Sequence, residues 1–212
     1  MQNTSPPNRR RRIAALAAAA VLAIFGIAAI GQGLHGQSTV RDALALEGVT
    51  GAPHMTPARI AANAKKAGLK DVALPTCSVA GTPIDDGTSA RCFAQYMRID
   101  ALVATGGKTY AQLPPFASKD STGTYDTAAA LKMPDGGPMN NPKAQLWVTE
   151  TVLTTALNTS YMAEQISLFG IAVGGAFLLV ALALAAAALH GVRITRPSLA
   201  IARRHPTSAG II

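Results

Sequence analysis

Residues 166–189 read ISLFGIAVGGAFLLVALALAAAAL and contain no charged side chain. These 24 residues, at about 1.5 Å each in an α-helix, reach about 36 Å, which exceeds the roughly 30 Å hydrocarbon core of a bilayer. A helix that is apolar on every side needs a large protein core to shield it from water, and a chain of 212 residues is too small to provide one. The stretch therefore predicts a membrane span, and it decides the fold.

A second apolar run, IAALAAAAVLAIFGIAAIG, covers residues 13–31 directly after four arginines. Its 19 residues reach about 28 Å, so it is either a second membrane helix or a signal sequence. The run is longer than the roughly 7–15 apolar residues of a signal sequence, and no clean A-x-A cleavage site follows it. We therefore interpret it as an uncleaved span; cleavage would leave one span instead of two.

Arginines at the two ends of the chain account for the whole formal net charge of +8. They lie before the first apolar run and after the second: Arg9, Arg10, Arg11, Arg12, Arg193, Arg196, Arg203 and Arg204. Lys and Arg collect in short segments that stay in the cytoplasm, so both termini are predicted to be cytoplasmic. The alternative is recruitment of nucleic acid or anionic lipid. The tails lack the interleaved aromatic residues of a single-strand binder, so no nucleic-acid partner is expected.

The predicted fold is mainly α: two transmembrane helices in an antiparallel hairpin, with a small and mostly helical extracytoplasmic domain inserted between them. The protein is then a multi-pass protein of the plasma membrane, with the lipid bilayer as its first partner. The predicted boundaries are a basic cytoplasmic tail at 1–12, the first span at 13–31, the extracytoplasmic domain at 32–165, the second span at 166–189, and a basic cytoplasmic tail at 190–212.

Two short helices are predicted early in the extracytoplasmic domain. Ser38 or Thr39 is expected to cap a helix that ends at Gly48. Thr56 is expected to cap the next, which has proline at its first position and ends at Gly68.

Two further helices follow. Residues 89–105 have apolar side chains at helical spacing, and Gly106-Gly107 ends the run. Phe93 and Met97 in this helix are interpreted as core residues. Asn141-Pro142 then begins a helix with no further Pro or Gly until Gly170, which predicts a stalk that continues into the second span.

Cys77 and Cys92 are the only cysteines and lie in the predicted outer segment. Thiol pairs outside the cytoplasm normally oxidise, and closing a loop of about 15 residues contributes about 3 kcal/mol in the chain-entropy model. A structural disulfide is predicted. A redox-active pair is the alternative, although that chemistry usually uses C-x-x-C, and a metal site would need two more ligands.

Other residues that could bind a ligand or take part in catalysis give weaker signals. His54 lies in a Pro-containing loop and is interpreted as an exposed loop residue, with a role as base or ligand as the alternative. GGKT at 106–109 lacks the first glycine of a phosphate-binding loop, so its glycines are interpreted as the end of a helix. Asp85 and Asp86 are interpreted as part of a type I turn in a solvated loop. No catalytic residue, metal ligand or cofactor is predicted.

Small residues mark one face of each predicted span. Gly170 and Gly174 form a GxxxG in the second span, and Ala15, Ala19 and Ala23 form a row in the first. Small faces let membrane helices approach closely. Either the two spans pack on each other, or the faces serve a homo-oligomer or a larger membrane complex. Neither span contains an ionisable residue, which argues against a transporter.

The layout resembles a group of uncharacterised actinobacterial two-span membrane proteins, which are often labelled aromatic ring-opening dioxygenases. The resemblance covers the two spans and three short motifs, VRDAL at 40–44, MTP at 55–57 and GGKTY at 106–110. The residues do not support the dioxygenase label, because non-haem iron sites need histidine and carboxylate ligands that converge on the metal.

The sequence thus favours a non-enzymatic binding or assembly component of the cell envelope. The alternative is an envelope-facing hydrolase whose residues come from the extracytoplasmic loops. A pocket that gathers His54, a carboxylate and a hydroxyl would favour the hydrolase.

Overall fold

The computed structural model describes residues 7–190, and within that range the protein is mainly helical with no β-strand. The elements are α1 (Pro7–Glu47), α2 (Pro57–Lys66), α3 (Gly87–Thr105), a 3₁₀ turn (Tyr110–Gln112) and α4 (Pro142–His190). Both α1 and α4 are long and apolar enough to cross a membrane, by length and composition. In this coarse form the predicted helical fold is confirmed.

α1 is one uninterrupted helix of 41 residues, so the prediction of a separate short helix capped by Ser38 or Thr39 is wrong. The hydroxyls of Ser38 and Thr39 each donate to the carbonyl of His35 at 2.9 Å, a bond made inside a helix. The glycines of QGLHGQ favour a break locally. Packing on α4 outweighs that preference, because Gly33 lies directly against the backbone of Ser167.

Caps fix the ends of α2 and α3. Thr56 accepts from the N–H of Arg59 at 3.4 Å, and proline follows at the first helical position, as predicted. At α3 the prediction of a solvated turn was wrong for Asp86, which is the N-cap and accepts from the N–H of Ser89 at 2.6 Å. The hydroxyl of Ser89 accepts in return from the N–H of Asp86, so the pair forms a capping box. Gly106, in the left-handed conformation, ends α3 as predicted.

α4 runs for 49 residues without a break, as the absence of Pro and Gly before Gly170 predicted. Asn141 caps it: its side-chain oxygen accepts from the N–H of Lys143 at 3.0 Å. The amide nitrogen of the same side chain donates to the carbonyl of Pro114 at 2.8 Å. The start of α4 is thereby tied to the loop that follows the 3₁₀ turn.

α1 and α4 pack antiparallel along their lengths. Gly26 of α1 faces Gly174 of α4, whereas the later Gly33 faces the earlier Ser167. α3 packs on the first half of α4, and α2 packs on α3. Tyr96, Ile60 and Ile84 are the largest fully buried side chains, and we call the packing around them the Tyr96 core.

Candidate functional site

A groove of about 490 Å³ opens where the end of α1 meets α3 and α4. Its wall is almost wholly apolar, and Glu47 is the one charged residue on it. The lining comprises Ala43, Leu44, Glu47, Val49, Ile84, Phe93, Met97, Leu153, Ala156, Leu157 and Ser160. Small-molecule sites usually measure about 300–1,000 Å³ and have mostly apolar walls, so the groove has the size and chemistry to hold an apolar molecule.

Local hydrogen bonding and helical spacing place the groove wall. Phe93 and Met97 lie one turn apart on α3, and both are half-buried and line the groove. Phe93 also packs against the hydrophobic core, so the prediction of core residues is confirmed in part for Phe93, whereas Met97 is not among the core residues. The N–H of Ile84 donates to the carbonyl of Val49 at 2.9 Å, which joins the chain after α1 to the chain before α3. Two segments that are distant in sequence thus form one wall.

The disulfide between Cys77 and Cys92 is present, as predicted, with an S–S distance of 2.07 Å and Cα atoms 6.1 Å apart. It ties the turn-rich segment before α3 to the second turn of that helix. One turn further along, the hydroxyl of Tyr96 donates to the carbonyl of Cys77 at 2.6 Å. Burial raises the pKa of the Tyr96 phenol above its ordinary value. A covalent and a hydrogen bond together hold the segment around Cys77 against α3.

His54 forms a pair with Asp100, whose carboxylate lies 2.9 Å from the imidazole Nε2. Both side chains are more than a third exposed, and neither lines the groove. Within residues 7–190, Asp100 is the only side chain hydrogen-bonded to the His54 ring, and no hydroxyl reaches its other nitrogen. The pair has a base and an orienting carboxylate but no attached nucleophile.

A second, polar cleft of about 420 Å³ lies between α3 and α4. Two arginines stand over aromatic rings at its edges: the Arg91 guanidinium is 4.6 Å from the Tyr161 ring, and that of Arg98 is 5.5 Å from the Trp147 ring. Glu150, which is only 4% exposed, lines the same cleft. Two cations and one carboxylate therefore give the cleft a mixed charge pattern.

Glu164 is a structural residue that the sequence reasoning missed. It is buried on α4 and accepts from the N–H of Gly87, at the start of α3, at 2.8 Å. The guanidinium of Arg41 on α1 lies 3.9 Å away. A carboxylate at a helix N-terminus is favourable, so Glu164 joins three helices. The only signal in the sequence was a lone carboxylate two residues before an apolar run.

Gly87 allows that contact. A Cβ built there would lie 2.6 Å from the Glu164 carboxylate and 2.8 Å from the Tyr161 Cα. The chain reaches the carboxylate only because this position has no side chain.

Glycine governs the contact between α1 and α4, which we call the seam: Gly26, Ala29 and Gly33 of α1 against Ser167, Gly170 and Gly174 of α4. A Cβ on Gly174 would lie 2.6 Å from the carbonyl oxygen of Gly26, and one on Gly26 would lie 2.8 Å from that of Gly174. Gly170 is looser, with the Ala29 carbonyl at 3.6 Å from a built Cβ. The GxxxG face therefore lies against α1 of the same chain.

The alanine row of α1 meets the seam only in part. Ala19 is buried, whereas Ala15 and Ala23 are half-buried. The sequence reasoning missed Gly26 and Gly33, which follow Ala19 at a seven-residue spacing that the alanine-rich background obscured. That spacing is the signal of two helices that coil around each other.

The tail arginines contribute to no described site. Arg9, Arg10, Arg11 and Arg12 lie exposed on the first turns of α1. Arg193, Arg196, Arg203 and Arg204 lie outside the described residues. Among residues 7–190 no group of three or more His, Cys, Asp or Glu side chains is close enough to hold a metal ion.

Asp120, on the loop before α4, bonds to its own turn. Its carboxylate accepts from Ser118 and, at 3.1 Å, from the N–H of Thr122, and these bonds lower its pKa.

Comparisons with protein-family models, with curated proteins and with solved structures found no match.

Proposed function

We propose that the protein is a two-span membrane protein that binds an apolar molecule without chemically changing it. In this proposal 13–31 and 166–189 cross the plasma membrane, 32–165 form the extracytoplasmic domain, and both termini are cytoplasmic. The observation that carries the proposal is the apolar groove among α1, α3 and α4. An apolar recess on the water-exposed part of a protein favours a ligand that buries it.

The position of the groove favours a lipid chain as the ligand. Ser160 at its lower end lies six residues before the second span, which is about 9 Å along a helix. Both α1 and α4 run from the groove into the apolar segments without interruption. A lipid chain leaving the outer leaflet would therefore meet the groove first. We propose that the ligand is the acyl or isoprenoid chain of an envelope lipid.

Photolabelling of the full-length protein in native membranes tests this assignment. The probe is a long-chain fatty acid carrying a photoreactive diazirine, and labelled peptides are identified by mass spectrometry. Ala43→Trp fills the groove, whereas Ala45→Trp places the same side chain on an exposed position of α1 that does not line it. Label on Phe93 or Met97 that is lost in Ala43→Trp and kept in Ala45→Trp is the expected result. Label that survives Ala43→Trp contradicts the proposal.

Membrane placement has its own test. Epitope tags at both termini and after the exposed Gly136 are probed with antibody before and after the cells are permeabilised. The proposal expects the tag after Gly136 to be accessible on intact cells and both terminal tags to be accessible only after permeabilisation. An N-terminal tag that is lost from the mature protein indicates a cleaved signal instead.

The pair of His54 and Asp100 favours a second candidate, an envelope-facing hydrolase in which Asp100 orients His54 as a general base. A fluorophosphonate probe, which labels activated serines, distinguishes the two. Labelling that disappears in His54→Ala and persists in the exposed control His35→Ala favours the hydrolase. No labelling favours the binding protein.

A further inference from the structure

The side of α4 that faces away from α1 and α3 carries an exposed apolar stripe. Val152 is 63% exposed, Ile166 67% and Phe169 69%. The residues in contact with the rest of the chain, such as Glu150, Glu164 and Gly174, lie on the opposite side of the helix. Within residues 7–190 the members of the stripe are exposed, except for Val173, which is half-buried.

The stripe follows a seven-residue repeat from 148 to 180, a length of about 48 Å. Successive members are separated by four and then three residues, the spacing of the contact line in a coiled coil. One set of positions, spaced by seven, holds only β-branched side chains: Val152, Thr159, Ile166, Val173 and Val180. The alternate positions hold Val148, Thr155, Met162, Phe169 and Ala176. In a coiled coil these are the a and d positions, respectively.

In parallel coiled coils, β-branched residues at a combined with leucine at d favour two strands. Here the a positions are all β-branched, which favours a parallel pair, whereas the d positions are mixed. A pair of identical helices related by a two-fold axis also places each a residue opposite its own copy. Both conditions are met when two copies of one chain share a membrane and an orientation, because their α4 helices are then parallel and at the same depth.

The absence of charged residues from the stripe also supports a second copy of the chain as its partner. Between Lys143 and His190 the only charged residues of α4 are Glu150 and Glu164, and both are buried on the other side. The part of the stripe before residue 166 is thus an uncharged helix face outside the apolar segment, where a water-exposed face normally carries charged residues. Two copies can meet along it without like-charge repulsion.

We propose that α4 pairs in parallel with α4 of a second copy, so that the protein is a homodimer joined along this stripe. The GxxxG face takes no part, since it is occupied by α1 of the same chain. The inference rests on the proposed membrane placement and is independent of the lipid ligand.

Cysteine cross-linking tests the pairing. Val152→Cys places a thiol at an a position, and Leu153→Cys places one on the neighbouring residue, which is 45% exposed but points away from the stripe. The native cysteines are already joined to each other and supply no competing thiol. Native membranes are oxidised with copper phenanthroline and run on a non-reducing gel.

We expect a covalent dimer to be the main species for Val152→Cys, whereas Leu153→Cys stays monomeric. Monomer in both variants, or equal dimer in both, overturns the proposal. A cross-link from Val152→Cys to a different protein, identified by mass spectrometry, also overturns it and assigns the stripe to that partner.

A charge substitution provides the second measurement. Thr159→Arg sets two like charges face to face across the two-fold axis, whereas Leu146→Arg adds the same charge at a 39% exposed α4 position that lies outside the stripe and lines no described pocket. In mild detergent, light scattering should find two chains per particle for the native protein and for Leu146→Arg, and one for Thr159→Arg, with helix content unchanged. A Thr159→Arg protein that remains dimeric overturns the proposal.

Discussion

Along the seam, α1 and α4 meet backbone to backbone at glycine, whereas in the Tyr96 core α3 packs through bulky side chains that are completely buried. The seam has no covalent bond, while the Tyr96 core borders a disulfide. Both regions include α4, so the difference does not come from the helix. It comes from the surroundings: in the proposed membrane placement, the seam lies in lipid and the Tyr96 core lies in water.

In lipid, apolar burial gives little driving force between helices, and close backbone approach provides the van der Waals contact. In water, removing apolar surface is itself the driving force, at about 25 cal/mol per Å². Adding volume should therefore damage the seam, whereas removing volume should damage the core.

Removal of volume from the core should have the largest effect. Ile60 is fully buried, and we expect Ile60→Ala to lower the free energy of unfolding by about 2–5 kcal/mol through lost burial and the cavity left behind. Urea unfolding in detergent, followed by the fluorescence of the single tryptophan, Trp147, measures it. Arg59→Ala, on the exposed side of the same helix, should stay within about 0.5 kcal/mol. Equal losses at both positions would contradict the assignment of the core.

Loss of the disulfide should cost about 3 kcal/mol, because the bond closes a loop with a sequence separation of 15. Cys77→Ser combined with Cys92→Ser, compared with the native protein under reducing and oxidising conditions, measures this by the same unfolding curve. The native protein under reduction should match the double variant. A native curve that reduction leaves unchanged would show that the bond does not support the core.

Addition of a single methyl group should destabilise the protein at a seam position of α4 but not at a position outside the seam. Gly174→Ala forces its Cβ against the carbonyl of Gly26, and we expect a loss of about 1–3 kcal/mol. Gly175→Ala adds the same group where a built Cβ meets nothing within 4 Å, and should be neutral or slightly stabilising. Unfolding of both variants in mild detergent, followed by circular dichroism, provides the comparison. Equal stabilities of the two variants would mean that the seam tolerates the added methyl group, which contradicts the prediction.

The smallest expected effect concerns the Tyr96 hydroxyl. Tyr96→Phe removes the donor to the Cys77 carbonyl and should cost about 1 kcal/mol at neutral pH. Because burial raises the folded pKa of the phenol, its stabilisation is fully present below the unfolded value of about 10 and is lost as the pH rises through the folded value.

A pH series of urea midpoints should accordingly fall more steeply above pH about 10 for the native protein than for Tyr96→Phe. The control is Tyr125→Phe, whose ring is 69% exposed and which should retain the native alkaline slope. Identical slopes for native and Tyr96→Phe would contradict a buried phenol.

Much of the fold could be predicted because its signals are local. Gly48, Gly68 and Gly106 end helices where the sequence placed those ends. Predictions went wrong where tertiary contact outweighed a local preference: Ser38 and Thr39 were expected to cap a helix, but packing on α4 keeps that region inside α1. The prediction of a turn at Asp86 is wrong because the same residue can serve in a turn or as an N-cap. Which role it takes depends on where the next helix begins, and α3 begins at Gly87.

The sequence by itself determined the helical character, the helix stops at Gly48, Gly68 and Gly106, the two apolar segments and the cysteine pair, since each depends on spacing within a few residues or on composition. The tertiary structure decided which face of α4 meets α1, that Glu164 joins three helices, and that Phe93 and Met97 line a groove. These depend on side chains from segments as distant as α1 and α4. Their proximity is set by packing of the whole chain, which no local pattern records.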